Sequence, residues 1–116
     1  MSRSTNKSNA EYCLVLTALS DGRAAHGLAC ALVENRLCAC VSVVPGAISR
    51  YRWRGRIERA EEAILIAKTL ASRYPEVEAF LKREHPYECP EILKIPIEAG
   101  LPAYLDWIRE SVSKKV

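Results

Sequence analysis

The densest set of chemically capable side chains in this sequence lies at residues 85–91, which read HPYECPE. They bring an imidazole, a phenol, a thiol and two carboxylates together in a short stretch. Pro86 and Pro90 each hold their own φ at about −65° and bias the preceding residues, His85 and Cys89, toward extended backbone. A stiff polar connector of this kind either joins a helix to a strand or forms a wall of a binding site, and the spacing leaves both open.

The same segment offers a set of metal ligands. His85, Glu88 and Cys89 supply imidazole, carboxylate and thiolate, which suit zinc or copper. The set has one histidine and no second pair of strong ligands, so a structural role for the imidazole is an equal alternative. We predict a divalent copper or zinc ion as the candidate cofactor at these three residues.

The cysteines elsewhere favour a reduced protein. Cys38 and Cys40 are spaced like a clip for a soft metal, but their neighbours are apolar and free cysteine is among the most buried residue types. We therefore predict core thiols at both positions. The total of five cysteines is odd, and their apolar surroundings fit reduced core thiols better than a disulfide framework. A cytoplasmic location is the default prediction, because residues 1–10 lack the apolar core of a secretory signal.

A cluster of arginines crowds the centre of the chain, at Arg50, Arg52, Arg54, Arg56 and Arg59. Such a cluster can bind phosphate or nucleic acid, yet glutamates lie alongside and arginine is the usual residue for ion pairs between subunits. The net charge is only +3, and the aromatic strand signature of ferredoxin-like RNA binders is missing. We predict a solvated or interface role and no nucleic-acid partner.

Length and composition indicate one globular domain. The chain has 116 residues, of which 49% are hydrophobic and 27% charged. No apolar run approaches the roughly 18 residues of a membrane span. We predict a disordered leader at residues 1–10 and a single domain at 11–116. No HExxH motif, phosphate loop or Ser/His/Asp set is present, so no enzymatic activity is predicted.

Hydrophobic patterning predicts the elements that position these groups. Strands are predicted over residues 12–17, 38–53, 56–69 and 91–97, and a last helix over 102–111. Helices are also predicted to begin after an N-cap at Ser20 or Asp21 and after an N-cap at Ser72, and Pro86 ends the second. The order βαββαβ with a C-terminal helix is the ferredoxin-like α+β sandwich.

The buried faces follow from the same periodicity. Buried stripes are predicted at Ala25, Leu28, Ala29, Leu32 and Val33, and at Val77, Phe80 and Leu81. The last strand has Leu93, Ile95 and Ile97 on one face, and the last helix carries Leu105, Trp107 and Ile108. His26 lies off its stripe and is predicted to be solvated.

A long hairpin is predicted around residues 54–55, where glycine permits a tight turn, with a bulge at Pro45-Gly46. A strand over residues 38–53 could reach roughly 50 Å, against roughly 22 Å for the first helix. The outer half of the hairpin carries Tyr51 and Trp53, whose rings would be left in water. We therefore predict an oligomer that covers them.

Several motifs occur together in one order along the chain. They are residues 36–41 (RLCACV), 44–47 (VPGA), 51–55 (YRWRG), 68–69 (KT), 85–91 (HPYECPE) and 104–107 (YLDW). From about Leu14 to Val112 the chain closely resembles the CutA family of divalent-cation tolerance proteins.

The resemblance implies a ferredoxin-like subunit in a homotrimer whose hairpins extend onto neighbouring subunits, with Tyr51, Trp53 and Trp107 at the interface. It also implies a link to tolerance of copper and other divalent cations, and no catalytic residues carry over. Some members have a copper-linked cysteine at the end of the first strand, where this chain has Thr17, a poor ligand for copper. Cys40 and His85 match the family pattern.

Our first hypothesis is a cytoplasmic CutA-like homotrimer that binds a metal ion or small anion in a cleft between subunits. The cleft residues are predicted to be Trp53, Lys68, His85, Tyr87 and Glu91. The rival hypothesis is an interaction module similar to PII signalling proteins, which docks another protein through its hairpins or trimer face. A small hydrolase or transferase is a third possibility without a supporting residue.

Overall fold

The computed structural model describes residues 10–113, within which the predicted element order is confirmed. The elements are β1 (Tyr12–Leu19), α1 (Gly22–Glu34), β2 (Cys40–Trp53), β3 (Arg56–Leu70), α2 (Tyr74–Glu84), β4 (Leu93–Ile97) and α3 (Pro102–Val112). A 3₁₀ turn at Ala71–Arg73 precedes α2. Except for Ala10, the predicted leader lies outside the described residues.

The strands form one antiparallel sheet in the order β2-β3-β1-β4. Side chains alternate between the two faces of a strand, so Cys13 and Val15 of β1 face α1 and α2, whereas Tyr12 faces α3. Each face therefore has its own apolar cluster. This arrangement confirms the ferredoxin-like α+β sandwich with a C-terminal helix.

The predicted helix caps and the predicted stripe of α1 are partly confirmed. Asp21 caps α1, because its Oδ1 accepts the N–H of Ala24 at 3.1 Å. The predicted stripe is buried except for Val33, which lies at the edge of the stripe and is 42% exposed. The predicted Ser72 cap is wrong, since the 3₁₀ turn occupies that position and Arg73 precedes α2 without a side-chain cap bond.

The hairpin and its bulge form as predicted. Arg54 and Gly55 both have positive φ, 53° and 80°, which is the type I′ geometry of a two-residue hairpin turn. The register between β2 and β3 shifts between Val44 and Ala47, where Gly46 also has a φ of 79°. The hairpin thus bends at the bulge, and its outer half continues to Trp53.

The cysteines are only partly core residues. Cys38 is buried, and burial raises the pKa of its thiol to about 12. Cys40 is half-buried, whereas Cys30 and Cys89 are exposed, on the outer face of α1 and in the connector before β4. The prediction of core thiols is therefore confirmed for Cys13 and Cys38, is only partly met by Cys40, and is wrong for Cys30 and Cys89. None of the helices in residues 10–113 is long and apolar enough to cross a membrane.

Two buried threonines on paired strands differ in one hydrogen bond. The Thr69 hydroxyl donates to the Leu37 carbonyl at 2.7 Å, whereas Thr17 Oγ1 has no partner among the described residues. Because an unpaired buried hydroxyl is costly, we expect Thr17→Val to raise the free energy of unfolding by about 1 kcal/mol and Thr69→Val to lower it by about 1 kcal/mol. Urea unfolding measures both, and equal signs would contradict the assignment.

Candidate functional site

Residues 85–91 form the connector between α2 and β4. His85 follows α2 with extended backbone, φ −73° and ψ 136°, as the proline after it requires. Its backbone N–H donates to the Leu81 carbonyl at 2.8 Å. The helix therefore ends at the position that Pro86 predicts.

The imidazole of His85 is buried and structural. Its Nε2 donates to the Ala18 carbonyl at 3.0 Å, and its Nδ1 accepts the backbone N–H of Tyr87 at 3.1 Å. These two bonds select the neutral ring with the proton on Nε2. Burial lowers the pKa of His85, which favours the same form. His85 thus holds the connector against the end of β1.

The predicted metal set does not come together within one chain. Both ring nitrogens of His85 face backbone groups, Glu88 pairs with Arg54 at 3.0 Å, and the Cys89 thiol is exposed. Among residues 10–113, no three His, Cys, Asp or Glu side chains are grouped so that they could hold a metal ion.

A cavity of about 530 Å³ lies between the outer half of the hairpin and the connector. Its walls are Ala18, Ser49, Arg50, Tyr51, Trp53, Glu62, Tyr87, Glu88, Cys89 and Glu91. Three predicted cleft residues, Trp53, Tyr87 and Glu91, are therefore brought together. Volumes in this range are typical of small-molecule sites.

The other two predicted cleft residues lie elsewhere. His85 sits behind the cavity wall, with its ring centroid 4.8 Å from that of Tyr87 in an edge arrangement. The Lys68 ammonium lies 5.8 Å from the centroid of the Tyr104 ring. Lys68 is thus directed to α3 on the other side of the sheet, because it alternates with the core-facing Ala67 and Thr69.

Glu62 is the site residue that sequence reasoning missed. It is 8% exposed, and its Oε2 accepts the Tyr87 hydroxyl at 2.8 Å, while Ser20 Oγ lies 3.2 Å from that hydroxyl. Burial raises the pKa of Tyr87, and the bond to Glu62 adds to the rise. The clue in the sequence was the position of this carboxylate, directly before the mainly apolar part of the strand that starts at Ala63.

An ion pair borders the cavity. The Arg54 guanidinium donates to Glu88 Oε1 at 3.0 Å and lies 5.4 Å from the centroid of the Trp53 ring. Because the Arg54 and Glu88 side chains are 69% and 72% exposed, the pair adds little to stability. The Arg54–Glu88 pair joins the hairpin tip to the connector.

Comparison with known proteins decides the family. Residues 13–111 match the family model described as CutA1 divalent ion tolerance protein. The chain belongs to the CutA1 family.

Individual CutA relatives agree with this assignment. The divalent-cation tolerance protein CutA of Thermus thermophilus is 43% identical over 98 residues, which cover 84% of this chain and 95% of that protein. Protein CutA of Mus musculus is 42% identical over 94 residues, but the match covers only 53% of that longer protein and 78% of this chain. None of these names states an enzymatic activity.

A solved CutA structure supports the fold. The protein described as the periplasmic divalent cation tolerance protein CutA from Archaeoglobus fulgidus is 37% identical and superposes with a TM-score of 0.85, covering 88% of this chain and 99% of that one. The CutA1 fold of the described residues is therefore confirmed.

The residues predicted at the CutA trimer interface are exposed in the single chain. Tyr51, Trp53 and Trp107 are 44%, 39% and 43% exposed. Trp107 also lies against Tyr104, with ring centroids 5.4 Å apart. Further exposed apolar side chains are Val44, Ile48, Leu93, Ile95 and Leu101. Contact between these residues and another subunit stays a prediction.

Proposed function

We propose that this CutA1-family protein acts in divalent-cation tolerance as a homotrimer that binds a metal ion or small ligand at clefts between its subunits. The observation that carries the proposal is the cavity between hairpin and connector, whose walls include the exposed rings of Tyr51 and Trp53. A pre-organised cavity beside an uncovered apolar surface suits ligand binding in an assembly.

Exposed apolar side chains support the homotrimer. Contiguous apolar surface on a soluble protein commonly marks an interaction site. Here β4 contributes Leu93 and Ile95, and α3 contributes Tyr104 and Trp107, all of them at least 39% exposed. Burying them between subunits would supply the driving force for assembly.

The proposed metal ion is copper or zinc, held between subunits where donors from two chains add together. Cys89, Glu88 and Glu91 line the cavity and supply a thiolate and carboxylates, which these metals bind. His85 contributes by holding the connector in place rather than as a ligand.

We further propose a non-catalytic, cytoplasmic protein. Its five cysteines are all unpaired, and free thiols of this number fit a reducing compartment. The Archaeoglobus relative is described as periplasmic, so fractionation of the native host is the direct test.

Light scattering and calorimetry test the proposal together. By light scattering we expect a particle of about 39 kDa, three times the 13.0 kDa chain. By calorimetry we expect binding of Cu²⁺ or Zn²⁺, and the double variant Cys89→Ser with Glu91→Gln should bind the metal at least tenfold more weakly. Cys30→Ser with Glu34→Gln, two exposed positions on α1, is the matched control. A 13 kDa monomer without metal binding would contradict the proposal.

A second function, docking to another protein in the manner of PII-like modules, is favoured by one observation. Arg50 and Arg59 lie directly opposite each other in the β2–β3 ladder, and Arg52 is the next residue on that face. All three are exposed, and none has an ion-pair partner among the described residues. Like charges placed opposite each other are unfavourable until an acidic surface covers them.

Affinity capture from the native host tests this second function. Recovery of one stoichiometric partner that is lost in Arg52→Glu with Arg59→Glu, but kept in the exposed control Arg83→Glu, would support docking. Equal recovery with all three proteins would contradict it.

A further inference from the structure

Glu62 is a buried carboxylate without a counter-ion. It is 8% exposed, and Tyr87 donates the one hydrogen bond that it receives among the described residues. It takes part in none of the ion pairs of residues 10–113, and the nearby His85 ring is neutral. A buried charge is costly unless a cation pairs with it. The second oxygen of Glu62 is therefore available to a cation in the cavity that Glu62 lines.

Aromatic rings form the other walls of that cavity. Tyr51, Trp53 and Tyr87 all line it. The face of an aromatic ring attracts cations through its quadrupole, among them ammonium and guanidinium groups and quaternary ammonium ligands. The Trp53 ring already lies 5.4 Å from the Arg54 guanidinium, so it accepts a cation in this structure.

The charge of the cavity wall points the same way. Three carboxylates line it, those of Glu62, Glu88 and Glu91, whereas Arg50 is the guanidinium of the wall and Arg54 pairs with Glu88 at its border. One negative charge is left in excess. This excess of negative charge opposes an anionic ligand and attracts a cationic one. A volume of about 530 Å³ also suits a small organic molecule.

We propose that this cavity binds a small organic cation, a compound with an ammonium or guanidinium group that pairs with Glu62 and lies against Tyr51, Trp53 and Tyr87. This ligand class rests on the proposed function, which makes the cleft a binding site. The cation supplies the missing counter-charge of Glu62, and the rings exclude water around it.

Calorimetry on the full chain tests the ligand class with three simple probes. Butylammonium and tetramethylammonium are the cations, and butyrate is an anion of the same carbon number as butylammonium. We expect both cations to bind with a Kd of roughly 1 mM or tighter, because one ion pair and several cation–π contacts act together. Butyrate is expected not to bind. Absence of cation binding, or equal binding of butyrate, would overturn the inference.

Two variants locate the site. Glu62→Gln is expected to weaken binding of butylammonium at least tenfold, whereas Glu61→Gln, an exposed neighbour outside the cavity wall, should leave the Kd within about twofold. Trp53→Leu removes only a partly exposed ring and should weaken binding of butylammonium about tenfold. It is the variant to use if Glu62→Gln does not fold. Unchanged affinity in either folded variant would overturn the inference.

Light scattering and Cu²⁺ titration of the same preparation separate the two proposals. A trimer that binds metal but no ammonium would leave the proposed function intact and overturn this inference. A monomer that binds ammonium through Glu62 without metal would do the reverse.

Discussion

Replacing Arg73 with leucine is expected to lower the free energy of unfolding by about 3 kcal/mol. The side chain is only 11% exposed and joins three segments. Its guanidinium donates to the Arg36 carbonyl at 2.8 Å and to the Val112 carbonyl at 3.1 Å, and it pairs with Glu76. Leucine would leave these acceptors without their donor. Urea unfolding with an unchanged m value measures the loss.

The control for this prediction is Arg83→Leu. Arg83 lies in the last turn of α2, at the opposite end from Arg73, and its side chain is 65% exposed and pairs only with its neighbour Glu84. We expect a change within about 0.5 kcal/mol. The free energy of unfolding of Arg73→Lys should remain well below that of the parent, because a point charge cannot replace a guanidinium that reaches several acceptors. Equal stability of the two leucine variants would refute the role of Arg73.

Arg73 also connects stability to assembly. Val112 is the last residue of α3, whose Tyr104 and Trp107 belong to the exposed apolar surface. Because a cation at a helix C-terminus satisfies the free carbonyls and the helix dipole, Arg73 anchors this helix end. The proposed trimer should therefore dissociate at higher protein concentrations in Arg73→Leu than in the parent.

Replacing His85 with leucine is expected to cost about 2 kcal/mol of stability, because the Ala18 carbonyl and the Tyr87 N–H both lose their partner. The variant should also change the pH dependence. Burial lowers the pKa of His85 below its ordinary value of 6.5. Below pH 6.5 the unfolded chain therefore binds a proton that the folded chain resists, and stability falls as the pH drops.

Urea unfolding between about pH 5 and pH 7.5 measures this effect. The parent should lose stability below pH 6.5, and His85→Leu should remove that part of the slope. His26→Leu is the control, since His26 is exposed on α1, and it should keep the parental slope. A slope that survives in His85→Leu but disappears in His26→Leu would contradict the assignment.

The hydrogen bonds of His85 change how the proposed metal binding is tested. Its ring nitrogens are engaged with backbone groups, so loss of metal binding in a His85 variant would report on the position of the connector. Cys89 and Glu91 are the residues whose replacement addresses metal ligands directly, because both line the cavity.

Much of the fold followed from local rules in the sequence. Proline after His85 ended α2, Arg54 and Gly55 made the turn, and Asp21 capped α1. Each of these signals acts through backbone geometry within a few residues. The two wrong predictions also have local causes. Val33 lies at the edge of the apolar stripe of α1, and a 3₁₀ turn occupies the position where Ser72 was expected to cap α2.

The candidate site was predictable only in part. Trp53, Tyr87 and Glu91 were expected in one cleft and share the cavity wall, whereas Lys68 lies against α3 on the other face of the sheet, and its part in a cleft between subunits stays a prediction. Strand alternation, applied to its buried neighbours, would have directed Lys68 to the opposite face. Glu62 was missed because a glutamate in a strand ordinarily signals a solvated position.

The family, the order of the elements, the bent hairpin and the stiff connector all follow from the amino-acid sequence, because periodicity, proline and turn chemistry act over short stretches of chain. The role of the connector, in contrast, depends on contacts between distant parts of the chain. The tertiary structure turned His85 inward to the backbone of β1 and brought Glu62 to Tyr87, 25 residues away. Burial then left Glu62 with one hydrogen bond and no counter-ion, and burial depends on how distant segments pack together.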